Sequence, residues 1–100
     1  MIKLRVYSMS QVFYQDVNTL KMQSHLKGQL VRAAASISCN IAEGSGRSTR
    51  PDQKRFYVMA YASAKECAAV LQMAGVASPT LLDRLDHLSA SLYKLSRASV

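Results

Sequence analysis

The stretch QLVRAAASISCNIAEGSGR, residues 29–47, sets the architecture of the chain. Its apolar positions Leu30, Ala33, Ala34, Ile37 and Ile41 recur at the three- and four-residue spacing of one helix face. Ala33, Ala34, Ala35 and Ser38 put little bulk on that helix, so a neighbouring helix can approach closely. Ser24 is expected to cap its start, Leu26 extends the apolar line toward that cap, and Gly44 is expected to supply a left-handed C-terminal stop. Residues 44–50, rich in glycine, serine and arginine, then form a loop.

The helical period continues outward on both sides. Val6, Met9, Phe13, Val17 and Leu20 predict a first helix over about residues 4–23. Pro51 suits the first turn of a third helix, whose expected core line is Phe56, Ala60, Ser63, Cys67, Val70 and Ala74, with Gly75 ending it. Ser78 and Pro79 open a fourth, carrying Leu81, Leu85, Leu88, Leu92 and Leu95. Four helices joined by short turns predict an all-α, antiparallel up-down-up-down four-helix bundle, with residues 1–100 as one domain.

Composition narrows the class. With 49% hydrophobic residues, four glycines and two prolines, the chain has enough apolar content to fold. Thirteen Lys and Arg against six Asp and Glu give a net charge of +7, which favours polyanionic partners. Cys39 and Cys67 have neither zinc-site nor disulfide-framework spacing, so both are expected to be buried small residues in a reducing cytosol. The N-terminal segment has no continuous apolar run or small-residue cleavage site, and the expected location is cytoplasmic.

Enzymatic chemistry finds no apparatus. Glu43 and Glu66 are the only glutamates, and His25 and His87 form no Glu-x-x-His pair, so a carboxylate-bridged metal site of the helical-bundle kind is not expected. No Ser, His and Asp stand at a spacing that singles out a triad. Gly44-Ser45-Gly46 lacks the lysine, spacing and preceding strand of a phosphate loop. The chain is read as non-enzymatic, with no cofactor, no metal and no catalytic residue.

Polar residues instead suggest packing and binding. Gln29, Ser36, Asn40 and Glu43 follow at intervals of seven, four and three, beside the apolar line. With Arg32, and with Ser63 and Glu66 of the third helix, they are expected to form a structural hydrogen-bonding network. Arg47, Arg50, Lys54 and Arg55 lie within nine residues and face only Asp52 locally. Glu43 is expected to pair with Arg47 or Arg55, leaving a net positive corner for phosphate. Lys54, Tyr57, Tyr61 and Lys65 share one side of the third helix, a cation and aromatic stripe suited to single-stranded nucleic acid. The alternative for these tyrosines is a half-buried helix or subunit contact.

From Phe56 to Ala77 the only charges are Lys65 and Glu66. A second apolar face, Met59, Ala62, Ala69 and Met73, then exceeds what three neighbouring helices can cover, and is expected to be a homo-oligomer interface. Lys65 and Glu66 at its centre argue against a membrane span.

The 29–47 segment, followed by RFYVMAYASAKE at residues 55–66, resembles the four-helix-bundle family encoded by intervening sequences of 23S ribosomal RNA genes. The resemblance rests on Arg32, Ala33, Ala34, Ser36, Ile37, residues 40–44, Gly46 and Arg47, extended by Phe56, Ala60, Ser63 and Glu66. The first helix departs from it, lacking a tryptophan-containing start. The family is related to the accessory variability protein of diversity-generating retroelements. The resemblance implies a homopentameric, barrel-like assembly and an RNA-chaperone-like partner of a reverse transcriptase.

The expectation is a homo-oligomer that binds nucleic acid, RNA rather than DNA, through Arg47, Arg50, Lys54, Arg55, Tyr57, Tyr61 and Lys65. A protein-interaction scaffold with no direct nucleic-acid role is the alternative.

Overall fold

The computed structural model describes residues 2–97; residues 1 and 98–100 of the expected domain lie outside it. Four α-helices make up the fold: α1 (Ile2–Asn18), α2 (Ser24–Ser45), α3 (Arg50–Ala74) and α4 (Pro79–Arg97). There is no strand among the described residues. The molecule measures 41 × 22 × 18 Å. At 1.5 Å per residue the 25 residues of α3 account for most of the long dimension.

Each helix packs on its chain neighbours, and α1 closes the ring by packing on α4. The core is built from Val6, Phe13 and Val17 of α1, Leu30, Ile37 and Ile41 of α2, Val70 and Leu71 of α3, and Leu81, Leu85, Leu88 and Leu92 of α4. Each such side chain, fully buried, stabilises the fold by about 1.5–3 kcal/mol before entropy is counted. The most extensive pairing is α2 with α3, where Ala33 and Ala34 meet a helix whose own buried residues include Ala60 and Ala64. Small residues on both sides are what allow that approach.

Two hydroxyl pairs cross the helix seams. Ser10 and Ser38 are 2.7 Å apart between α1 and α2, and Ser36 and Ser63 are 3.0 Å apart between α2 and α3. Ser10 donates to the Tyr7 carbonyl at 2.6 Å, so its single hydrogen is used there and Ser38 is the donor across the seam. Asn40 Nδ2 donates to both the carbonyl and the hydroxyl of Ser36, at 2.9 and 3.1 Å.

Five details differ from the sequence expectation. Helix α1 ends at Asn18, about a turn early. Asn18 Nδ2 and Thr19 Oγ1 take the carbonyls of Tyr14 and Asp16, each at 2.8 Å. Lys27 reaches back to the Asn18 and Leu20 carbonyls, completing the stop. Leu20 and Met22 still pack against the core from the connection. Ser24 is the first helical residue and Gln23 occupies the cap without a side-chain bond.

Gly44 is not a left-handed stop. It lies inside the last turn of α2, buried, and the cap is Gly46 with a right-handed φ of −88°. A Cβ at position 44 would stand 2.7 Å from Tyr57 Cε1 and 3.1 Å from Phe56 Cβ. The glycine is needed for close approach of α3. Gly75 is the residue that takes the left-handed cap, at φ 66°, donating to the Leu71 carbonyl at 2.9 Å.

The buried face of α3, which keeps Ala60, Cys67 and Val70 of the expected line, is turned by about 45° from it, at 100° per residue. Tyr57, Ala60, Ala64, Cys67 and Leu71 face inward, whereas Phe56, Ser63 and Ala74 are only half-buried. Phe56 is held at the α2–α3 corner between two arginines, and Ser63 is drawn to Ser36.

Cys39 is exposed, contrary to expectation, while Cys67 is buried. Burial, and after it the negative charge of Glu66, pushes the Cys67 thiol up to about 12, so it stays protonated and unreactive. No helix among the described residues is long and apolar enough to cross a membrane.

Candidate nucleic-acid interface

The basic cluster that begins in the α2–α3 loop divides in two. Thr49 caps α3, accepting from the Asp52 amide at 3.3 Å, and Pro51 fits the first turn beside it. This start brings Asp52 between two arginines. Arg47 bonds Glu43 at 2.6 Å and lies 3.7 Å from Asp52, while Arg55 bonds Asp52 at 3.0 Å. Both guanidinium groups also cover the Phe56 ring, at 4.6 and 4.7 Å from its centre.

Each of these ion pairs is solvent-exposed and worth less than about 1 kcal/mol, with about 0.5–1 kcal/mol for each ring contact. Together they occupy Arg47 and Arg55 within a corner where Glu43 and Asp52 cancel their charge. Arg47 Nε and the Tyr57 hydroxyl are buried without hydrogen-bond partners, so close packing has prevailed over hydrogen bonding here. Arg50 and Lys54 are exposed and form no ion pair among the described residues.

The second basic cluster lies in a groove between α3 and α4. Tyr61, Lys65, Asp86, Ser89, Ala90, Tyr93 and Lys94 line a cavity of about 470 Å³. The Tyr61 and Tyr93 rings are 5.5 Å apart and tilted by 58°. Lys65 Nζ sits 5.2 Å from the Tyr61 ring centre, and the Arg97 guanidinium 5.0 Å from that of Tyr93. Lys65, Lys94 and Arg97 have no carboxylate partner among the described residues. An adjoining hollow of about 380 Å³ shares Lys65, Asp86 and Ser89 and continues toward Ala68 and Leu82.

Tyr57 does not belong to this surface. It is 4% exposed, its ring packed where Gly44 leaves room, and it offers no face to a ligand. Tyr61 and Lys65 do share the side of α3 that faces α4, and helical spacing puts the exposed Lys54 on the same side of α3 two turns earlier. Tyr93, Lys94 and Arg97 replace Tyr57 in the cluster, and sequence reading missed all three. Their available signal was a Tyr-Lys-x-x-Arg run at the polar side of α4's last turns, visible only once α4 is paired with α3.

Of the expected polar network, Ser36, Asn40 and Ser63 come together across the α2–α3 seam. Glu43 is drawn instead to Arg47, Gln29 is half-buried, and Arg32 and Glu66 are exposed, with no side-chain bond among the described residues. Met59, Ala62, Ala69 and Met73 are all exposed on α3, Met73 to 65%. Val58 adds to that face at 47%. Among the described residues no three of His, Cys, Asp and Glu gather into a metal-holding group.

Comparison with curated proteins and with solved structures gives no match. Residues 2–98 match the family described as 23S rRNA-intervening sequence protein, and the chain belongs to that family.

Proposed function

We propose that this protein binds nucleic acid without catalysing a reaction, as a cytoplasmic homo-oligomer of antiparallel up-down-up-down bundles. One observation carries the reading: Arg50, Lys54, Lys65, Lys94 and Arg97 are cations on α3 and α4 without ion pairs among the described residues, and two tyrosine rings lie among the last three. Unpaired cations gain most from phosphate, because no internal bond is given up and condensed counterions are released. RNA rather than DNA as the polyanion follows from the resemblance to the RNA-chaperone-like accessory proteins of retroelements.

Tyr61 facing Tyr93 and Ala68 sharing a hollow with Leu82 support opposite directions for α3 and α4. The uncovered apolar residues Val58, Met59, Ala62, Ala69 and Met73 support self-association. Five copies, and a reverse transcriptase as protein partner, follow from the resemblance to retroelement accessory proteins. In a ring, weak sites repeated around one axis would add through effective concentration.

Binding of labelled single-stranded and duplex RNA at several salt concentrations tests the reading. Affinity should fall steeply with salt, and Arg50→Ala with Lys54→Ala should weaken it. No binding at low salt would instead leave a protein-interaction scaffold, the reading favoured by the apolar face of α3. Sedimentation tests the assembly, where a stable 11.0 kDa monomer would contradict it.

A further inference from the structure

We propose that the α3–α4 groove holds one unpaired nucleotide of a single strand, with its base stacked on the exposed Tyr93 ring beside Tyr61 and its phosphates on Lys65, Lys94 and Arg97. The inference rests on the nucleic-acid reading and adds the form of ligand the site selects.

The shape of the groove is the first argument. A cavity of about 470 Å³ lies in the range of small-ligand sites and can take a base with its sugar. A double helix keeps its bases stacked inside and could present only phosphates and groove edges to this open hollow. The tyrosines would then gain nothing from a duplex.

The ring contacts supply the second argument. Lys65 and Arg97 rest on the tyrosine faces, with no carboxylate to hold them among the described residues. An exposed cation on a ring contributes about two- to fivefold in an equilibrium. A base stacked on the same ring contributes about 5- to 150-fold. An entering base therefore displaces the cation, and the freed cation moves onto the phosphate that arrives with the base. Both partners of the original contact end with a better one. At the corner this exchange is blocked, because Arg47 and Arg55 are bonded to carboxylates as well as resting on Phe56.

Asp86 and Ser89 fix the direction of entry. A carboxylate in the groove wall repels phosphate but accepts hydrogen bonds from the amino group of a base. The base edge is thus directed toward Asp86, and the backbone toward Lys94 and Arg97 further along α4.

The test uses the full chain, with a single-stranded oligoribonucleotide, its duplex and a mononucleotide as separate probes. The chain has no tryptophan and five tyrosines, so quenching of tyrosine emission reports contact directly. The strand should bind at least about tenfold more tightly than the duplex and quench the emission, and the mononucleotide should bind far more weakly than the strand. Tyr93→Leu, at a ring 44% exposed, should lower strand affinity about 5- to 30-fold and leave duplex affinity unchanged. Lys94→Ala, at an exposed position, should weaken the strand more than the duplex.

Equal affinity for strand and duplex, an unaffected Tyr93→Leu variant, or a mononucleotide bound as tightly as the strand would overturn the inference while leaving nucleic-acid binding intact. Failure to bind any probe at low salt would overturn both.

Discussion

The α2–α3 corner and the α3–α4 groove hold cations of the same kind in opposite circumstances. At the corner, Arg47 and Arg55 are each bonded to a carboxylate and pressed against Phe56, so their charge serves the joint between two helices. In the groove, Lys65 and Arg97 have only tyrosine rings beneath them and Lys94 no carboxylate partner among the described residues. Proximity of basic residues in sequence thus marks the corner, whereas availability of charge marks the groove. A cluster of arginines is informative about binding only after its local carboxylates have been counted.

This contrast predicts that damage to the corner is felt in stability and damage to the groove in binding. The largest effect should come from Gly44→Ala. A methyl group 2.7 Å from a buried tyrosine ring overpacks the joint, at a cost of about 1–3 kcal/mol, offset by up to about 1 kcal/mol of helix propensity. Denaturant unfolding should show a net loss of about 1–2 kcal/mol, partly relieved by Tyr57→Leu in the same chain. An unchanged midpoint would refute the close-approach account of that glycine.

Next in size is the double change Lys65→Ala with Lys94→Ala. It should reduce affinity for single-stranded RNA about tenfold at low salt and flatten the dependence of log K on log salt by about 1.4, at 0.7 per lost phosphate contact. Unfolding should hardly move. Smaller still, Arg47→Ala should lower stability by about 1 kcal/mol or less and change strand affinity less than about threefold. If Arg47→Ala weakened binding more than the two lysine changes, the assignment of roles to corner and groove would be reversed. Least of all, Ser36→Ala combined with Ser63→Ala should stay within about 0.5 kcal/mol of the parent, because both partners of the hydrogen bond leave together.

Much of this fold was legible in advance because the apolar residues of α2 and α4 repeat without ambiguity: Leu30, Ala33, Ile37 and Ile41 on one, Leu81, Leu85, Leu88 and Leu92 on the other, are all buried. Helix α3 misled because it is apolar on more than one side. Periodicity then leaves the inward direction loosely determined, and a reading turned by about an eighth of a turn places Phe56 inside and Tyr57 outside. What resolved the choice was tertiary: Gly44 makes room for one ring, and two arginines claim the other. Gly44 itself was misjudged because a glycine near a helix end has two uses, handedness and thinness, that sequence alone does not separate. The groove was half legible. Tyr61 and Lys65 belong to the stripe read from α3, but Tyr93, Lys94 and Arg97 join it from a helix some thirty residues further along, where no local pattern announces them.

The two serine pairs acquire a mechanical meaning when their positions on α2 are considered. Ser36 and Ser38 are two residues apart, about 200° around the helix, and reach α3 and α1 respectively. A rod clasped on opposite flanks at almost the same height can neither roll nor slide without opening one clasp. The apolar contacts around it, Ala33, Ala34 and Ile37, set how near its neighbours come, and the hydroxyl bonds, being directional, add a preferred angle, as a keyway does to a fitted shaft. The outward bearing of α3 is thus set jointly, by two pairs of oxygen atoms along the seams and by the room Gly44 leaves for a ring at the corner.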